Sequence, residues 1–184
     1  MAKTPSKMLP LGTKAPWFSL IDTVTEQPIQ LNHPKGELAT VVFFICNHCP
    51  YVKHVMPELT RLANDYMPKN IRFIGINSNN TVDYPDDSPE HMKQVAQVQH
   101  YPFPYVFDET QEVAKAYDAA CTPDFFVFDN NLSLVYRGQL DDSRPGNDIP
   151  VTGKSIRDAL DALLAGSAVS EIQKPSIGCN IKWK

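Results

Sequence analysis

The sequence contains few of the residues that hold small cross-linked proteins together. Its 184 residues include only four cysteines, which are too few for a disulfide scaffold. Glycine is scarce as well, with eight residues against sixteen prolines, and no internal repeat or low-complexity segment is present. A chain of this length buries roughly 70% of its unfolded surface, so its stability does not require covalent cross-links. We therefore expect one globular domain.

An excess of basic charge and long apolar runs are also lacking. The chain has 17 lysines and arginines against 21 aspartates and glutamates, its net charge is −4, and its basic residues are scattered. No apolar run approaches the roughly 20 residues of a membrane-spanning helix. We therefore expect neither nucleic acid nor a membrane among the partners of this protein.

Residues 1–12 contain lysines but no apolar stretch of the length that a secretory signal requires. The expected location is therefore cytoplasmic, where thiols are kept reduced. In such a compartment a small number of cysteines is expected to be catalytic, metal-binding or simply buried.

Apolar patterns along the chain predict strands that alternate with helices. Residues 1–15 are expected to form a loose lead-in, and residues 32–37 a turn. The predicted strands cover residues 17–21, 29–31, 38–45, 71–76, 105–107, 125–128 and 132–137, and the predicted helices cover residues 50–66, 89–100, 108–119 and 155–164. This order predicts an α/β protein with a parallel central sheet, to which the last hairpin adds antiparallel strands.

The residues that carry chemistry lie between the strand at 38–45 and the helix at 50–66. Cys46 and Cys49 form a Cys-x-x-Cys motif, and Pro50 marks the first turn of the helix. Unpaired N–H groups at a helix start stabilise a thiolate and lower a cysteine pKa from about 8.5 into the range of roughly 3.5–7.5. His48 adds positive charge or shares a proton at the same place. Redox chemistry is therefore the predicted function of this motif.

These features resemble the thioredoxin-like superfamily. The nearest branch joins proteins like alkyl hydroperoxide reductase and thiol-specific antioxidant with thiol–disulfide oxidoreductases of the cytochrome-maturation type. Three segments carry the resemblance: Ala15-Pro16-Trp17-Phe18-Ser19-Leu20, residues 41–59, and Cys121-Thr122-Pro123. The resemblance implies a thioredoxin-like domain over residues 1–166, with a central mixed sheet flanked by helices and an N-terminal β-hairpin. Residues 167–184 are then a C-terminal tail that docks on the domain.

The same resemblance implies roles for individual residues. In this superfamily the proline at the place of Pro123 is usually cis and faces the reactive cysteines. Thr122 and Pro123 are therefore expected to hold the substrate beside the site. Cys121, two residues before this proline, is expected near Cys49 as a third redox thiol, although a small core residue is the common fate of such a cysteine.

The register of the helix assigns the two cysteines of the motif. The oxidoreductase branch reads Cys-x-x-Cys, then four residues, then Pro-x-Leu. Aligning Pro57 with that proline places Cys49 on the nucleophilic cysteine and Val52 on the second one. Cys46 then lies upstream in the loop. The resemblance thus implies that Cys49 attacks and Cys46 resolves, in reverse of the usual order.

Two other functions stay open. In the peroxidase branch a Pro and a Thr or Ser precede the reactive cysteine, but Val42 and Cys46 stand at those places, and no motif fixes Arg137 as that branch's arginine. Zinc binding would use Cys46, His48, Cys49 and a fourth ligand from Cys121 or Cys179. Structural zinc sites usually show two paired ligand spacings, whereas only one pair is visible here. We therefore predict no metal.

Further residues have two interpretations each. His48 is either a solvent-exposed loop residue or one that tunes a neighbouring thiol. Cys179, in an apolar tail, either packs on the core or closes over the active site as a reserve resolving cysteine. Asp86 and Asp87 follow the loop 77–80 at the carboxyl end of a predicted strand, where open α/β sheets bind ligands. These two aspartates are interpreted as turn formers and helix caps.

The sequence therefore predicts a thiol–disulfide oxidoreductase with Cys49 as nucleophile, Cys46 as resolving thiol, and His48 and Cys121 as further site residues. No organic cofactor is expected. The expected partner is a protein or small-molecule disulfide or dithiol. A peroxide is the substrate of the first alternative function, and a non-catalytic binding or zinc module is the second alternative.

Overall fold

The computed structural model describes residues 3–32 and 36–184. The ten strands within that part are β1 (Lys3–Pro5), β2 (Ser19–Asp22), β3 (Pro28–Gln30), β4 (Ala39–Phe44), β5 (Ile71–Asn77), β6 (Tyr105–Phe107), β7 (Cys121–Thr122), β8 (Asp124–Asp129), β9 (Leu134–Gly138) and β10 (Ile177–Asn180). The four α-helices are α1 (Pro50–Tyr66), α2 (Pro89–Val98), α3 (Glu112–Ala116) and α4 (Lys154–Leu164).

Seven strands form the central sheet, in the order β3-β2-β6-β5-β4-β8-β9. The neighbours β4, β5 and β6 are parallel, whereas β8 and β9 on one side and β2 and β3 on the other are antiparallel. The predicted α/β class with a central mixed sheet and an N-terminal hairpin is therefore confirmed. No helix within the described residues has the length and apolar character of a membrane span.

Strand β4 is buried at every position, because helices cover both faces of the sheet around it. Its side chains alternate between two cores: Phe43 packs in the core on the side of α1, and Phe44 packs in the core that contains Tyr117. Helix α1 has the predicted bounds and buries one broad face against the first core. This packing fixes the loop between β4 and α1, which holds Cys46 and Cys49.

The two ends of the chain form a second sheet that the sequence did not predict. Strand β10 lies between β1 and β7 and is antiparallel to both. Residues 1–15 are thus not all a loose lead-in, because Lys3–Pro5 pair with the C-terminal strand. Strand β10 packs directly on the domain, while the division at residue 166 stays a prediction.

The other differences between the predicted and the observed elements concern single helices and turns. The helix predicted over 108–119 is shorter and begins after Gln111, which adopts a left-handed conformation with φ 64°. Asp108 still accepts a hydrogen bond from the backbone N–H of Ala114, as a capping residue would. Ser88 caps α2 as expected, with His91 N–H as donor. The turn predicted at 32–37 falls partly on residues 33–35, which lie outside the described part of the chain.

Candidate active site

Cys49 lies between strand β4 of the central sheet and helix α1. The chain leaves β4, passes through residues 45–48, and enters α1 at Pro50, so that Cys49 is the N-cap residue with extended backbone angles. The Cys49 side chain has no exposed surface. The predicted nucleophile is therefore at a helix N-terminus, as the sequence indicated, but it is shielded from solvent.

Two other thiols and one carbonyl group surround the sulfur of Cys49. Its Sγ lies 2.9 Å from Sγ of Cys179 and 3.3 Å from the carbonyl oxygen of Thr122. Sγ of Cys46 is 3.3 Å from Oγ1 of Thr122, so the same threonine lies beside both cysteines of the motif. The peptide bond between Thr122 and Pro123 is cis. The structure thus brings Cys46, Cys49, Cys179 and Thr122 together.

The three thiols differ in acidity. Hydrogen bonding from Cys46, and to a lesser extent from Cys179, lowers the pKa of Cys49 to about 5, against the opposing effect of burial. The backbone N–H of Val52 acts in the same direction at the helix start. The hydrogen bond to Cys49, followed by burial, raises the pKa of Cys46 well above its usual value. Burial, followed by the contact with Cys49, raises the pKa of Cys179 to about 12. Of the three thiols, Cys49 is therefore the one that these shifts favour as a thiolate.

His48 is held by a buried carboxylate. Its Nδ1 lies 2.6 Å from Oδ2 of Asp87, and its ring stacks on Tyr84 with centroids 5.2 Å apart. The hydrogen bond with Asp87 raises the pKa of His48, and the nearby charge of Cys49 adds a small effect in the same direction. His48 is therefore a partly buried residue bound to Asp87, and it is not among the main causes of the low pKa of Cys49.

Asp87 is the site residue that the sequence interpretation missed. It is fully buried and accepts hydrogen bonds from the backbone N–H of Asn47 (2.7 Å) and from the side chain of Asn79 (2.8 Å). Burial favours a higher pKa for Asp87, but the bonds from His48, Asn79 and Asn47 outweigh it and lower the pKa. A signal existed, since the loop at 77–87 follows β5, the parallel neighbour of the strand that leads to the cysteines.

Cys121 and Arg137 form their hydrogen bonds with other residues than Cys46, Cys49 and Cys179. The sulfur of Cys121 is buried 3.8 Å from the carbonyl oxygen of Pro123, and burial raises its pKa. Arg137 donates hydrogen bonds to the backbone oxygen of Leu9 and to Oε1 of Gln173. Neither residue therefore supplies a hydrogen bond to Cys49 within the described chain, and a redox role for Cys121 stays a prediction.

Potential metal ligands also converge here. Cys46, His48 and Asp87 each offer one ligand atom, and these atoms all lie within 4.8 Å of one another. This is the only such group of three or more among the described residues, and it does not include Cys49. It therefore differs from the ligand set that the sequence suggested for zinc, and its carboxylate and imidazole already bind each other.

The fold and the site define a class of protein: a thioredoxin-like domain with a cysteine at the N-terminus of the helix that follows strand β4. The family model for Redoxin matches residues 10–156, so the chain belongs to the Redoxin family. A thiol-redox function follows from this membership. No match to the chain was found among curated proteins.

Solved structures agree with this assignment. An uncharacterized conserved protein from Geobacillus kaustophilus is 64% identical, with a TM-score of 0.98 over 100% of this chain and 97% of that one. The thioredoxin domain of a thiol-disulfide oxidoreductase from Bacteroides vulgatus is 20% identical, with a TM-score of 0.61 over 72% and 90%. A peroxidoxin from Mycobacterium tuberculosis is 17% identical, with a TM-score of 0.62 over 86% and 98%. The last two share the fold, which confirms the thioredoxin-like prediction.

Proposed function

We propose that the protein is a thiol–disulfide oxidoreductase in which Cys49 is the nucleophile and Cys46 a resolving thiol. The Cys49 thiolate attacks one sulfur of a substrate disulfide, the other sulfur leaves as a thiolate and takes up a proton, and a mixed disulfide forms. Cys46 then gives its proton to the second leaving sulfur and attacks Sγ of Cys49. The substrate ends as two thiols, and the protein ends with a Cys46–Cys49 disulfide. An external dithiol reduces this disulfide to complete the cycle.

The observation that carries the proposal is the position of Cys49 as N-cap residue of α1, with Sγ of Cys179 and the carbonyl oxygen of Thr122 against its sulfur. The two thiols of the motif also differ in acidity. A pKa of about 5 leaves Cys49 as a thiolate at neutral pH, whereas Cys46 remains a protonated donor beside it. Thiolates are the attacking species in disulfide exchange, and a protonated neighbour does not compete for the substrate. This division of charge supports Cys49 for the first attack and Cys46 for the second.

Thr122 supports the proposal through its contacts with both thiols. Its hydroxyl lies beside Cys46, and its backbone oxygen lies beside Cys49. In the proposed reaction Thr122 and Pro123 hold the substrate next to the reacting sulfurs, as the family resemblance implies. In the present arrangement strand β10 pairs with Thr122, so this edge carries a segment of the protein itself.

The test is the single-turnover reduction of a small disulfide, 5,5′-dithiobis(2-nitrobenzoic acid), by the reduced protein after removal of dithiothreitol, which would reduce this disulfide directly. Cys49→Ser should abolish the protein-dependent rate, because an alcohol of ordinary pKa does not attack a disulfide. The same substitution at Cys121 should retain most of the rate, since its sulfur hydrogen-bonds to the carbonyl oxygen of Pro123 and to no thiol among the described residues. Full activity in Cys49→Ser would disprove the proposal.

A thiol peroxidase is a second candidate, and one observation favours it. Cys49 has no exposed surface, and hydrogen peroxide is small enough to reach a thiolate that a protein disulfide cannot reach while β10 is in place. Against it, Arg137 is bound elsewhere and no Thr or Ser precedes Cys49 at the family's spacing. Stopped-flow mixing with hydrogen peroxide separates the two, since rapid sulfenate formation at Cys49 would support the peroxidase.

A further inference from the structure

We propose that Cys179 is a second resolving thiol for Cys49, so that the C-terminal strand supplies a catalytic group from within the chain. This inference rests on the proposed function of Cys49 and adds a residue to it. It predicts two alternative disulfides at one nucleophile, Cys46–Cys49 and Cys49–Cys179.

The first observation is the position of Cys179 in the sheet. Cys179 lies opposite Thr122 in the antiparallel pairing of β10 with β7, next to the cis bond to Pro123. This is the edge where the proposed reaction places the substrate. An extended segment that adds to a sheet edge gains backbone hydrogen bonds and points alternate side chains at the partner. Here that segment is the protein's own C-terminal strand, and its cysteine meets the nucleophile.

The second observation is the distance. Sγ of Cys179 lies 2.9 Å from Sγ of Cys49, at the short end of the roughly 3–3.5 Å separation of atoms held for attack. Both side chains are buried, at 0% and 2% exposure, so the contact is shielded from water. Cys121 offers a contrast, because the hydrogen bond of its sulfur goes to the carbonyl oxygen of Pro123 and not to another thiol of the described residues.

The third observation is that residues 176–182, which include β10, are held in place by hydrogen bonds. Its backbone and side chains form hydrogen bonds with several parts of the domain: Ser176 with Ser6 and Pro123, Ile181 with Ala120, and Lys182 with Asn79, Asn80 and Gln111. Nζ of Lys182 also lies 5.5 Å from the ring of Tyr84, which stacks on His48. Residues on both sides of Cys179 are thus anchored, which fixes its sulfur against Cys49.

Gly178 shows how close the strand lies. A Cβ atom added at Gly178 would be 1.9 Å from the carbonyl oxygen of Thr122, far inside any contact distance. Glycine is therefore required at the position directly before Cys179. The close approach of the two backbones is what brings the sulfur of Cys179 to that of Cys49.

The chemical step balances without a further reagent. In the mixed disulfide between Cys49 and a substrate thiol, the thiol of Cys179 gives its proton to the departing substrate sulfur and attacks Sγ of Cys49. The bond between Cys49 and the substrate breaks, and the bond between Cys49 and Cys179 forms. The Cys49–Cys179 disulfide also forms when Cys179 attacks Sγ of Cys49 in the Cys46–Cys49 disulfide. Cys46 then leaves as a thiol, and this exchange involves no net oxidation of the protein.

The experiment follows the mixed disulfide in variants that lack one resolving thiol. Reduced protein is mixed with one equivalent of 5,5′-dithiobis(2-nitrobenzoic acid), and intact mass and non-reducing peptide mapping are recorded over time. In Cys46→Ala the thionitrobenzoate adduct on Cys49 should disappear and a Cys49–Cys179 cross-link should replace it. In the double variant Cys46→Ala/Cys179→Ala the adduct should persist.

A matched double variant tests whether the choice of cysteine is specific. Cys46→Ala/Cys121→Ala should form the Cys49–Cys179 cross-link as readily as Cys46→Ala does. Because alanine at 179 removes a buried side chain, Cys46→Ala/Cys179→Ser repeats the test with a near-isosteric residue, and thermal unfolding of each variant shows that it is folded.

The outcomes separate the two proposals. A persistent adduct in Cys46→Ala, or a Cys49–Cys121 cross-link in its place, overturns the role of Cys179 while leaving Cys49 as the nucleophile. If the wild-type protein forms neither an adduct nor any cross-link at Cys49, the proposed function itself fails.

Discussion

The charge on Cys49 depends on the two other thiols of the site. Cys46 and Cys179 lower the pKa of Cys49, and Cys49 in turn raises the pKa of each of them, so a change at one thiol alters the titration of the others. The helix N-terminus contributes through the backbone N–H of Val52. The low pKa of Cys49 therefore depends both on its sequence neighbours Cys46 and Val52 and on Cys179 from the far end of the chain.

We expect removal of Cys46 to raise the pKa of Cys49 more than removal of Cys179 does. A hydrogen bond to a charged group contributes about 1.5–3 kcal/mol, so Cys46→Ala should move the titration midpoint up by roughly one to two pH units. Thiolate ultraviolet absorbance of the reduced protein, followed against pH, measures this without requiring access to the buried sulfur.

In that titration Cys121→Ala is the control, and its curve should follow that of the wild-type protein below neutral pH, since burial keeps Cys121 protonated there. If Cys46→Ala and the wild-type protein have the same midpoint near 5, the hydrogen bond from Cys46 is not the main cause of the low pKa.

Strand β10 is the element that most affects access to the site. It lies between β1 and β7, covers Cys49, and brings Gly178 against the backbone of Thr122. Its pairing joins the two ends of the chain through a sheet that is separate from the central one. A substrate larger than a small molecule therefore requires this strand to leave the edge of β7.

We expect Gly178→Ala to loosen β10, because an added methyl group cannot fit beside the carbonyl of Thr122. Overpacking of this kind destabilises a packed site by roughly 1–3 kcal/mol, and here we expect it to weaken the pairing of β10 with β7. Backbone amides of Ile177–Asn180 should lose protection in hydrogen exchange, and Cys49 should react faster with iodoacetamide.

The matched control for Gly178→Ala is Ser167→Ala, an exposed position in the same C-terminal segment. It should leave both hydrogen exchange at β10 and the alkylation rate at the wild-type level. Unchanged protection of β10 in Gly178→Ala would mean that the neighbouring backbone moves to accept the methyl group.

The two disulfides proposed for Cys49 differ in the length of chain that they close. Cys46 and Cys49 are three positions apart, whereas Cys49 and Cys179 are separated by 130 positions. A cross-link restricts the unfolded chain more when it closes a longer loop. In this proposal the oxidation state of the site affects the stability of the whole molecule, and the effect depends on which disulfide forms.

We expect oxidation of Cys46→Ala to raise the free energy of unfolding by roughly 2–4 kcal/mol, since only the long loop can close. Oxidation of Cys179→Ala closes only the short loop and should have a much smaller effect. Urea unfolding of each variant, with and without reductant, measures the difference.

Cys49→Ala serves as the control in this comparison, because neither disulfide can form, and its stability should not depend on the reductant. An equal gain on oxidation for Cys46→Ala and Cys179→Ala would contradict the assignment of Cys179 as a partner of Cys49.

Much of the central sheet could be predicted because its signals are local. The buried strand β4, the helix α1 with proline at its first position, and the short hairpins all show in runs of fewer than twenty residues. Strand β10 gave no such signal, since four residues of a tail show no periodicity that distinguishes pairing from simple packing. Its place depends on where Lys3–Pro5 and Thr122 lie, which no local pattern reports.

The sequence by itself determined the class of chemistry. A cysteine directly before a helix-starting proline is at a helix N-terminus wherever the rest of the chain goes, and that position favours a thiolate. The tertiary structure alone decided which groups surround this thiolate. Cys179 and Asp87 reach the site through long-range strand pairing and through a loop at the carboxyl edge of the sheet. Contacts between distant residues depend on the path of the whole chain, so only the folded molecule decided between the two interpretations of Cys179 and revealed the contact of Asp87 with His48.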